Sequence, residues 1–492
     1  MRRLSWFLAS AASITCIRVL GACSSETDCA DVGVCARPPG DVTEGGADGQ
    51  ILVPAGCDLA KSPKDSPGCL EDSVGVFVSP DGDESASGTK QAPVRSITKG
   101  VELATARGLP RIYVCEGTYE SGIHVEASVA LFGGLTCAWA PSEAARPKLA
   151  PFQGIPVRVT KVDGPVRIEA IDIVGSADPA VTGDSAIAAF VSESSSVTFR
   201  NVNLSAGAGT AGEKGASRSN YTGPTASTGG NANGGTGGAG PSCSCVDGSS
   251  SKGGAGAAGD GSGFEDGSAV PAVGAANGGA SGASTCEAGQ SGANGAANGA
   301  GAPETASGVL AASGWTPATQ PANAPSGNPG QGGGGGGTES NFGAAGGGGG
   351  CGGCGGAGGE PGMSGGSSFG LLSFNSNVTL DGGSLTTATG GRGGEGGEGQ
   401  AGQAGGGPGL ASTCNGGPGG HGAGGSGGGG GAGGHSVPVG YVGTAPRIAG
   451  AKLNPGTKGS GGDGGKPGQG PGNAGTSGTA GPDGKAHEML RL

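Results

Sequence analysis

The stretch Val166-Arg-Ile-Glu-Ala-Ile-Asp-Ile173 returns 31 residues later as Val197-Thr-Phe-Arg-Asn-Val-Asn-Leu204. It returns again after 181 residues as Val378-Thr-Leu-Asp-Gly-Gly-Ser-Leu385, and after 68 more as Pro446-Arg-Ile-Ala-Gly-Ala-Lys-Leu453. Aligned, the copies place Ile168, Phe199, Leu380 and Ile448 in one column and Ile173, Leu204, Leu385 and Leu453 in another. Such columns are the inward stack of a solenoid, in which each coil buries its apolar residues only against its neighbours. The polar columns read Glu169, Arg200, Asp381, Ala449 and Asp172, Asn203, Ser384, Lys452, an alternation that suits a ladder of surface pairs.

Between the copies the chain is glycine. Of 492 residues 120 are Gly, against a usual level of about 7%, and aromatic side chains make up only 3%. Residues 1–203 hold 21 of the glycines, which leaves 99 for the remaining 289 positions. That excludes a uniformly packed globular enzyme of this length, since the second part has too few large side chains to bury its backbone. The repeat makes the tracts insertions between coils, and those after the second, third and fourth copies leave at one corner. Within them Gly343 to Gly358, Gly390 to Gly405 and Gly416 to Gly434 recur every third residue, the period of an extended left-handed helix without internal hydrogen bonds. Two states fit: a hydrated disordered brush, or a bundle of polyglycine-like helices cross-linked by Cys243, Cys245, Cys286, Cys351, Cys354 and Cys414. Cys351 and Cys354, one such turn and about 9 Å apart, do not reach each other but both face a partner. The composition resembles the glycine-rich (PGRS-type) repeats of mycobacterial proteins and carries no function with it.

Upstream of the repeat, Val74–Val78 reads as a strand, Ser79-Pro80-Asp81-Gly82-Asp83 as a turn, and Ser96–Ala106 as a helix burying Ile97, Val101 and Ala104 and ended by Gly108. Short strands follow at 112–115, 123–125 and 129–132. The series Phe77-Val78-Ser79-Pro80-Asp81-Gly82-Asp83, Gly88-Thr89, Ala92-Pro93, Ser96-Ile97, Gly117-Thr118-Tyr119 and Leu131-Phe132-Gly133-Gly134 resembles the entrance segment of right-handed parallel β-helix proteins of the pectin-lyase-like superfamily, of the DUF1565 type. The resemblance implies a short helix capping the first coil and carries no catalytic residue. The fold expected is all-β: a short right-handed parallel β-helix, a single-stranded solenoid, with long Gly-rich insertions that are disordered or polyglycine-II-like.

The amino terminus, Met1-Arg2-Arg3, an apolar run from Leu4 to Ile17, then Leu20-Gly21-Ala22-Cys23, resembles a bacterial lipoprotein signal peptide, although Arg18 departs from that pattern. The resemblance implies a lipid on Cys23, a membrane held through that anchor, and an outer-membrane destination from Ser24 and Ser25. With Cys23 unlipidated the segment reads as an ordinary secretory signal and the protein as secreted. The apolar run is too short to span a bilayer. Apart from Cys16 and Cys23, twelve cysteines remain, an even number that in an exported chain reads as disulfides. Cys115 and Cys137, 22 residues apart, sit on neighbouring coils of such a helix and are the preferred pair; Cys29, Cys35, Cys57 and Cys69 belong to a stapled tether. Zinc at Cys351 and Cys354 is the rival reading and lacks a second pair.

The domains expected are a signal peptide at 1–22, the tether at 23–72, coils with the capping helix at 73–205, a Gly-rich insertion at 206–366, a coil at 367–388, an insertion at 389–434, a coil at 435–455 and a Gly-rich tail at 456–492. The net charge of −12 has no basic stripe, so nucleic acid is not an expected partner. No cofactor or catalytic residue is expected. Asp81 and Asp83 form a weak calcium candidate inside turn chemistry, and His124, His421 and His435 lack the frame of a base. The leading expectation is a non-catalytic exported surface lipoprotein that displays Gly-rich tracts for adhesion, matrix contact or spacing. The alternative is a carbohydrate-binding or polysaccharide-cleaving β-helix whose face includes Glu169 and Asp172, the partner then being a polysaccharide.

Overall fold

The computed structural model describes residues 53–223, 225–272, 286–305, 308–338, 343–412 and 414–492. Among these residues the structure is all-β apart from one α-helix and a single 3-10 turn. Every copy of the repeat forms strand, and the columns become register. Phe199 pairs with Ile168 on one side and Leu380 on the other, and Leu380 with Ile448. Leu204 likewise pairs with Ile173 and Leu385, and Leu385 with Leu453. Alternate residues of the long strand Ser196–Ala206 are buried, so one side chain in two feeds a continuous apolar core that runs from Val76 to Val439.

All these pairings are parallel, and successive passes of the chain add to the same two sheets. An eleven-stranded sheet starts at Gly75–Val78 and continues through Arg111–Cys115, Ala130–Leu135, Pro165–Glu169, Ser196–Ala206 and Val378–Thr387. A six-stranded sheet runs Ile123–Val125, Val157–Thr160, Ala186–Ser192, Ser368–Phe374, Ser436–Val442, Met489–Arg491. Between neighbouring strands the chain bends through left-handed residues at repeated positions, Ala170, Asn201, Gly382 and Gly450 at one corner. Glycine and asparagine enter that region at little cost. The helix Ile97–Arg107, capped by Ser96 through Lys99 N–H and ended by Gly108 at φ 65°, lies across the first strands. Gly100 lets it approach, since a Cβ there would stand 2.6 Å from Val78 Cγ2.

Three long excursions connect the large sheet to the small one. They leave after Ser196–Ala206, Val378–Thr387 and Lys452–Asn454, and return into Ser368–Phe374, Ser436–Val442 and Met489–Arg491. Their glycine tracts are joined by backbone hydrogen bonds at every third residue. Outbound tracts run parallel: Gly209, Gly212 and Gly215 donate to Thr389, Arg392 and Glu395, and Gly390, Gly393 and Gly396 to Thr457, Ser460 and Asp463. Return tracts do the same, Gly347, Gly350 and Gly353 donating to Cys414, Gly417 and Gly420. Outbound and return tracts meet antiparallel, as where Gly391, Gly394 and Gly397 donate to Gly366, Met363 and Glu360.

The tract from Cys414 to His435 lies inside. Gly416, Gly417 and Gly424 donate to Gly409, Gly334 and Asn473, each opening a ladder to a different neighbour with a step of three residues. Its carbonyls accept in the same rotation from Gly347, Gly289 and Gly468, three further neighbours. Six neighbours around one tract leave no room for a side chain at most of its positions, the buried Ala423, Ser426 and Ala432 being exceptions. A Cβ on Gly419, Gly422 or Gly425 would land on the carbonyl oxygen of Cys351, Cys354 or Ala357. Three disulfides cross-link the bundle: Cys243–Cys351, Cys245–Cys354 and Cys286–Cys414. Cys351 and Cys354 thus each face a separate partner. At the other end, Cys115 bonds Cys137 and Cys57 bonds Cys69; Cys23, Cys29 and Cys35 lie outside the described residues.

Between two tracts of the longest excursion, the antiparallel hairpin Gly308–Ala311 and Gly314–Pro317 returns to the sheet. It covers an outer apolar cluster of Ile187, Phe190, Phe369, Leu372 and Val437, which explains why Ala186–Ser192 is buried on both faces.

Two consequences are measurable. Gly422→Ala and Gly425→Ala will each lower stability by about 3 kcal/mol or more, whereas Gly407→Ala, whose added Cβ meets only the Thr228 side chain, Cγ2 at 3.6 Å and Oγ1 at 3.7 Å, will change it by less than about 1 kcal/mol, as read from denaturant midpoints. His435 is buried at the foot of the return tract, its Nδ1 accepting from Lys485 N–H at 3.0 Å; burial, with Lys485 and His487 nearby, pushes its pKa down to about 4. The unfolded imidazole titrates near 6.5, so between about pH 6.5 and 4 the unfolded chain binds the extra proton. Stability is therefore full above that window and declines by about 3 kcal/mol as pH falls through it. In His435→Asn that decline will be smaller when urea midpoints at pH 7 and pH 4.5 are compared.

Candidate functional site

The sheet's outer face carries side chains that the repeat positions but does not bury in the core. Asp172, Asn203 and Ser384 stand in register on adjacent strands and are joined as a ladder: Asn203 Nδ2 donates to Asp172 Oδ1 at 2.8 Å and Ser384 Oγ to Asn203 Oδ1 at 2.9 Å. In the neighbouring column Arg200 pairs with Asp381 at 3.3 Å, and Glu169 forms an ion pair with Arg167. The alternation read from sequence thus becomes contact between strands in the Asp172, Asn203, Ser384 ladder and the Arg200–Asp381 pair, of the kind that stabilises a sheet by cross-strand pairing, whereas Glu169 pairs within its own strand.

Over this face lies the segment stapled by Cys57–Cys69. Arg111, buried, donates through Nη2 to the carbonyls of Asp58 at 3.1 Å and Lys61 at 2.7 Å, and Arg167 donates to Ala60 at 2.9 Å. Both guanidinium groups also stand against the Phe132 ring, at 4.8 and 5.3 Å from its centroid. Tyr113 donates its hydroxyl to the Cys69 carbonyl, and burial pushes its pKa up to about 12. Segment and sheet together enclose a cleft of about 270 Å³ whose walls include Lys64, Glu143, Arg146, Glu169 and Arg200.

Arg146 organises the cleft. Its Nε donates to Asp172 at 2.8 Å, and its Nη2 reaches the carbonyls of Asn201 at 2.8 Å and Ile171 at 3.3 Å, bracing the left-handed corner at Asn201. Lys64 pairs with Glu143 across the mouth, which holds the carboxyl below and the ammonium above their ordinary values. The structure brings Glu169 to this cleft and Asp172 beside it, each engaged by an arginine. Polysaccharide hydrolysis uses two carboxylates poised for proton transfer across a sugar; these two are acceptors of fixed cation donors. What the cleft offers is hydrogen-bonding and charge recognition. Sequence reading missed Arg146, Lys64 and Glu143, which sit in irregular segments with no period to mark them.

The other candidates are separate. Asp83 Oδ1 accepts from Ser85 N–H at 2.7 Å and Ser85 Oγ at 2.6 Å, bonds that hold its pKa down and close the turn. Among the described residues no group of three or more His, Cys, Asp or Glu side chains is arranged to hold a metal. His124 is exposed and shares a 2.6 Å hydrogen bond with Thr160, and His421 Nδ1 accepts from Gly405 N–H at 3.1 Å. No helix among the described residues is long and apolar enough to cross a membrane. The disulfides are those of a protein from an extracellular or otherwise oxidising compartment.

Arg146→Ala will lower stability by about 1–3 kcal/mol, because it leaves the partly buried Asp172 with Asn203 but no cation and releases two carbonyls; Arg200→Ala, about two-fifths exposed, will cost less than about 1 kcal/mol in the same denaturant titration.

Among protein families, the model described as protein of unknown function (DUF1565) matches residues 80–129, the turn, helix and first short strands, about a tenth of the chain. No curated protein and no solved structure matches. The matched family is of the parallel β-helix type, and the residues it covers lie within the segment whose sequence carries that resemblance.

Proposed function

We propose that the chain is a non-catalytic surface protein in which a right-handed parallel β-helix holds out a polyglycine-II-type bundle for adhesion, matrix contact or spacing. The observation that carries this reading is the common exit of three glycine hairpins and their cross-linking into one body by hydrogen bonds at every third residue. At about 3.1 Å per residue the outbound tract from Thr389 to Leu410 extends about 65 Å from the sheet. A brush of free glycine tracts would act by steric exclusion, whereas a bonded rod sets a distance and presents its outer residues at fixed spacing. One outer row reads Arg392, Glu395 and Glu398, paired to Asp463 at 2.8 Å, Lys214 at 3.4 Å and Lys466 at 3.8 Å on adjacent tracts.

The leader at 1–22 with a lipid on Cys23 supplies the membrane attachment in this reading, and the disulfides agree with export. Without the lipid the same rod is secreted.

The test has two arms. Backbone hydrogen exchange of the full chain is expected to show slow amides at Gly416–Gly434, protected as strongly as those of Val197–Leu204; exchange at unprotected rates there would remove the rod and with it the proposal. Incubation with neutral and acidic polysaccharides is expected to yield retention without new reducing or unsaturated ends. Products that vanish in Glu169→Gln or Asp172→Asn would establish the polysaccharide-cleaving alternative instead.

A further inference from the structure

A second depression, distinct from the cleft at Glu169, lies where the bundle meets the six-stranded sheet. It encloses about 330 Å³, at the small end of ligand sites. Its apolar floor is Ile155, Ile187 and Trp315, and its polar wall is Gln153, Asp178 and Asp184. Trp315 comes from the hairpin of the longest glycine-rich excursion; the other five come from the sheet and its turns. The indole is steadied by Phe369, edge-on at 4.9 Å between centroids, and by His435 at 6.2 Å, and stays partly exposed toward the groove.

The polar wall is fixed before any ligand arrives. Asp178 Oδ2 accepts from Gln153 Nε2 at 2.9 Å and its Oδ1 from Ala180 N–H at 2.9 Å. Asp178 N–H donates to Asp184 Oδ2 at 2.7 Å, and Asp184 N–H to Thr210 Oγ1 at 2.7 Å. A carboxylate oxygen has two acceptor sites, so these bonds orient the acids and leave acceptor capacity facing the groove. Among the described residues neither acid forms an ion pair, and none of the residues lining the groove is cationic.

We propose that this groove binds a neutral saccharide, the contact through which the rod engages a matrix; the proposal rests on the adhesive reading above and names its ligand class. A pyranose has an apolar C–H face and a rim of hydroxyl donors. The face matches a partly exposed indole on an aliphatic floor, and the hydroxyls match oriented carboxylates that only accept. Two fixed negative charges without a cation repel uronates, which separates neutral from acidic sugars. The glycine-rich excursion thereby completes a site that the sheet alone lacks.

The experiment titrates the full chain with cellobiose, maltose and xylobiose, with digalacturonate as the anionic probe, by calorimetry and tryptophan emission. At least one neutral disaccharide is expected to bind with Kd below about 10 mM and digalacturonate at least about tenfold more weakly. Trp315→Phe and Asp184→Asn, which keep the local packing, are expected to weaken binding about tenfold, and Glu102→Gln, on the exposed side of the helix, to leave it unchanged. No neutral binding at that concentration, or binding indifferent to both variants, would overturn the proposal. Adhesion of chain-coated beads to a matrix of the bound sugar, run in parallel, separates the two readings. Sugar binding without adhesion upholds the groove and removes the adhesive role; adhesion without neutral-sugar binding removes the groove and leaves that role standing.

Discussion

The whole upper half of the molecule depends on one interaction, the N–H to carbonyl bond between glycine tracts repeated at every third residue. An extended helix with three residues per turn has no internal hydrogen bonds, so each backbone group needs a partner on another chain or in water. Three residues per turn point successive N–H groups in three directions, and the tract from Cys414 to His435 uses all three. That arrangement brings backbones so close that the position of a Cβ is already occupied by a neighbouring carbonyl oxygen. Glycine is there because of contact distance, and its abundance follows from the number of neighbours.

Such tracts do not assemble by themselves, because ordering glycine forfeits more backbone entropy than ordering any other residue, about 1–2 kcal/mol per position or more. The sheet reduces that cost. Adjacent strands of a ladder lie about 4.8 Å apart, already near the separation a backbone hydrogen bond between extended chains requires. Tracts leaving Ser196–Ala206, Val378–Thr387 and Lys452–Asn454 therefore start side by side and in register, and Gly209 to Thr389 and Gly390 to Thr457 are the first bonds of each ladder. From there each added bond fixes one more turn. The disulfides act farther out: Cys243–Cys351 and Cys245–Cys354 tie a short hairpin to the return tract, where the sheet no longer imposes the spacing.

How much of this was legible in the sequence depends on which residues carry a side chain. The columns of Ile168, Phe199, Leu380 and Ile448 and of Ile173, Leu204, Leu385 and Leu453 are strand register, because a parallel stack places equivalent residues beside each other whatever is inserted between them. The charge alternation became cross-strand contact at Arg200–Asp381, while Glu169 turned to Arg167 on its own strand. The bundle was legible only as a period of three, which a disordered tract also permits; what separates the two states is the partner of each backbone group, and that is not written in any one residue. The second sheet was harder. Its strands Ser368–Phe374 and Ser436–Val442 share no column motif beyond being apolar, and Met489–Arg491 is three residues at the end of a glycine-rich stretch. Trp315 was silent for the same reason: nothing around it repeats, and its importance comes from a hairpin folding back on Phe369.

The stack also has to stop, and its last strands show how. The first edge is covered by the helix Ile97–Arg107, but among the described residues Arg447–Ala449, Lys452–Asn454 and Met489–Arg491 have a strand neighbour on one side only. An edge of parallel strands continued outward by glycine tracts invites addition of further chains. Exposed cations stand along that edge: Arg447, Lys452 and Arg491 on the strands, and Lys458, Lys466 and Lys485 on the last tracts. The border carries both signs, since Lys458 pairs with Asp483 at 2.8 Å and Lys466 with Glu398 at 3.8 Å, while Asp463 and Glu488 also stand exposed; charged side chains along an edge disfavour its pairing with another chain. The same regularity that lets three hairpins share one lattice would also accept a further chain, and a charged border is a general way for a sheet edge to resist such addition.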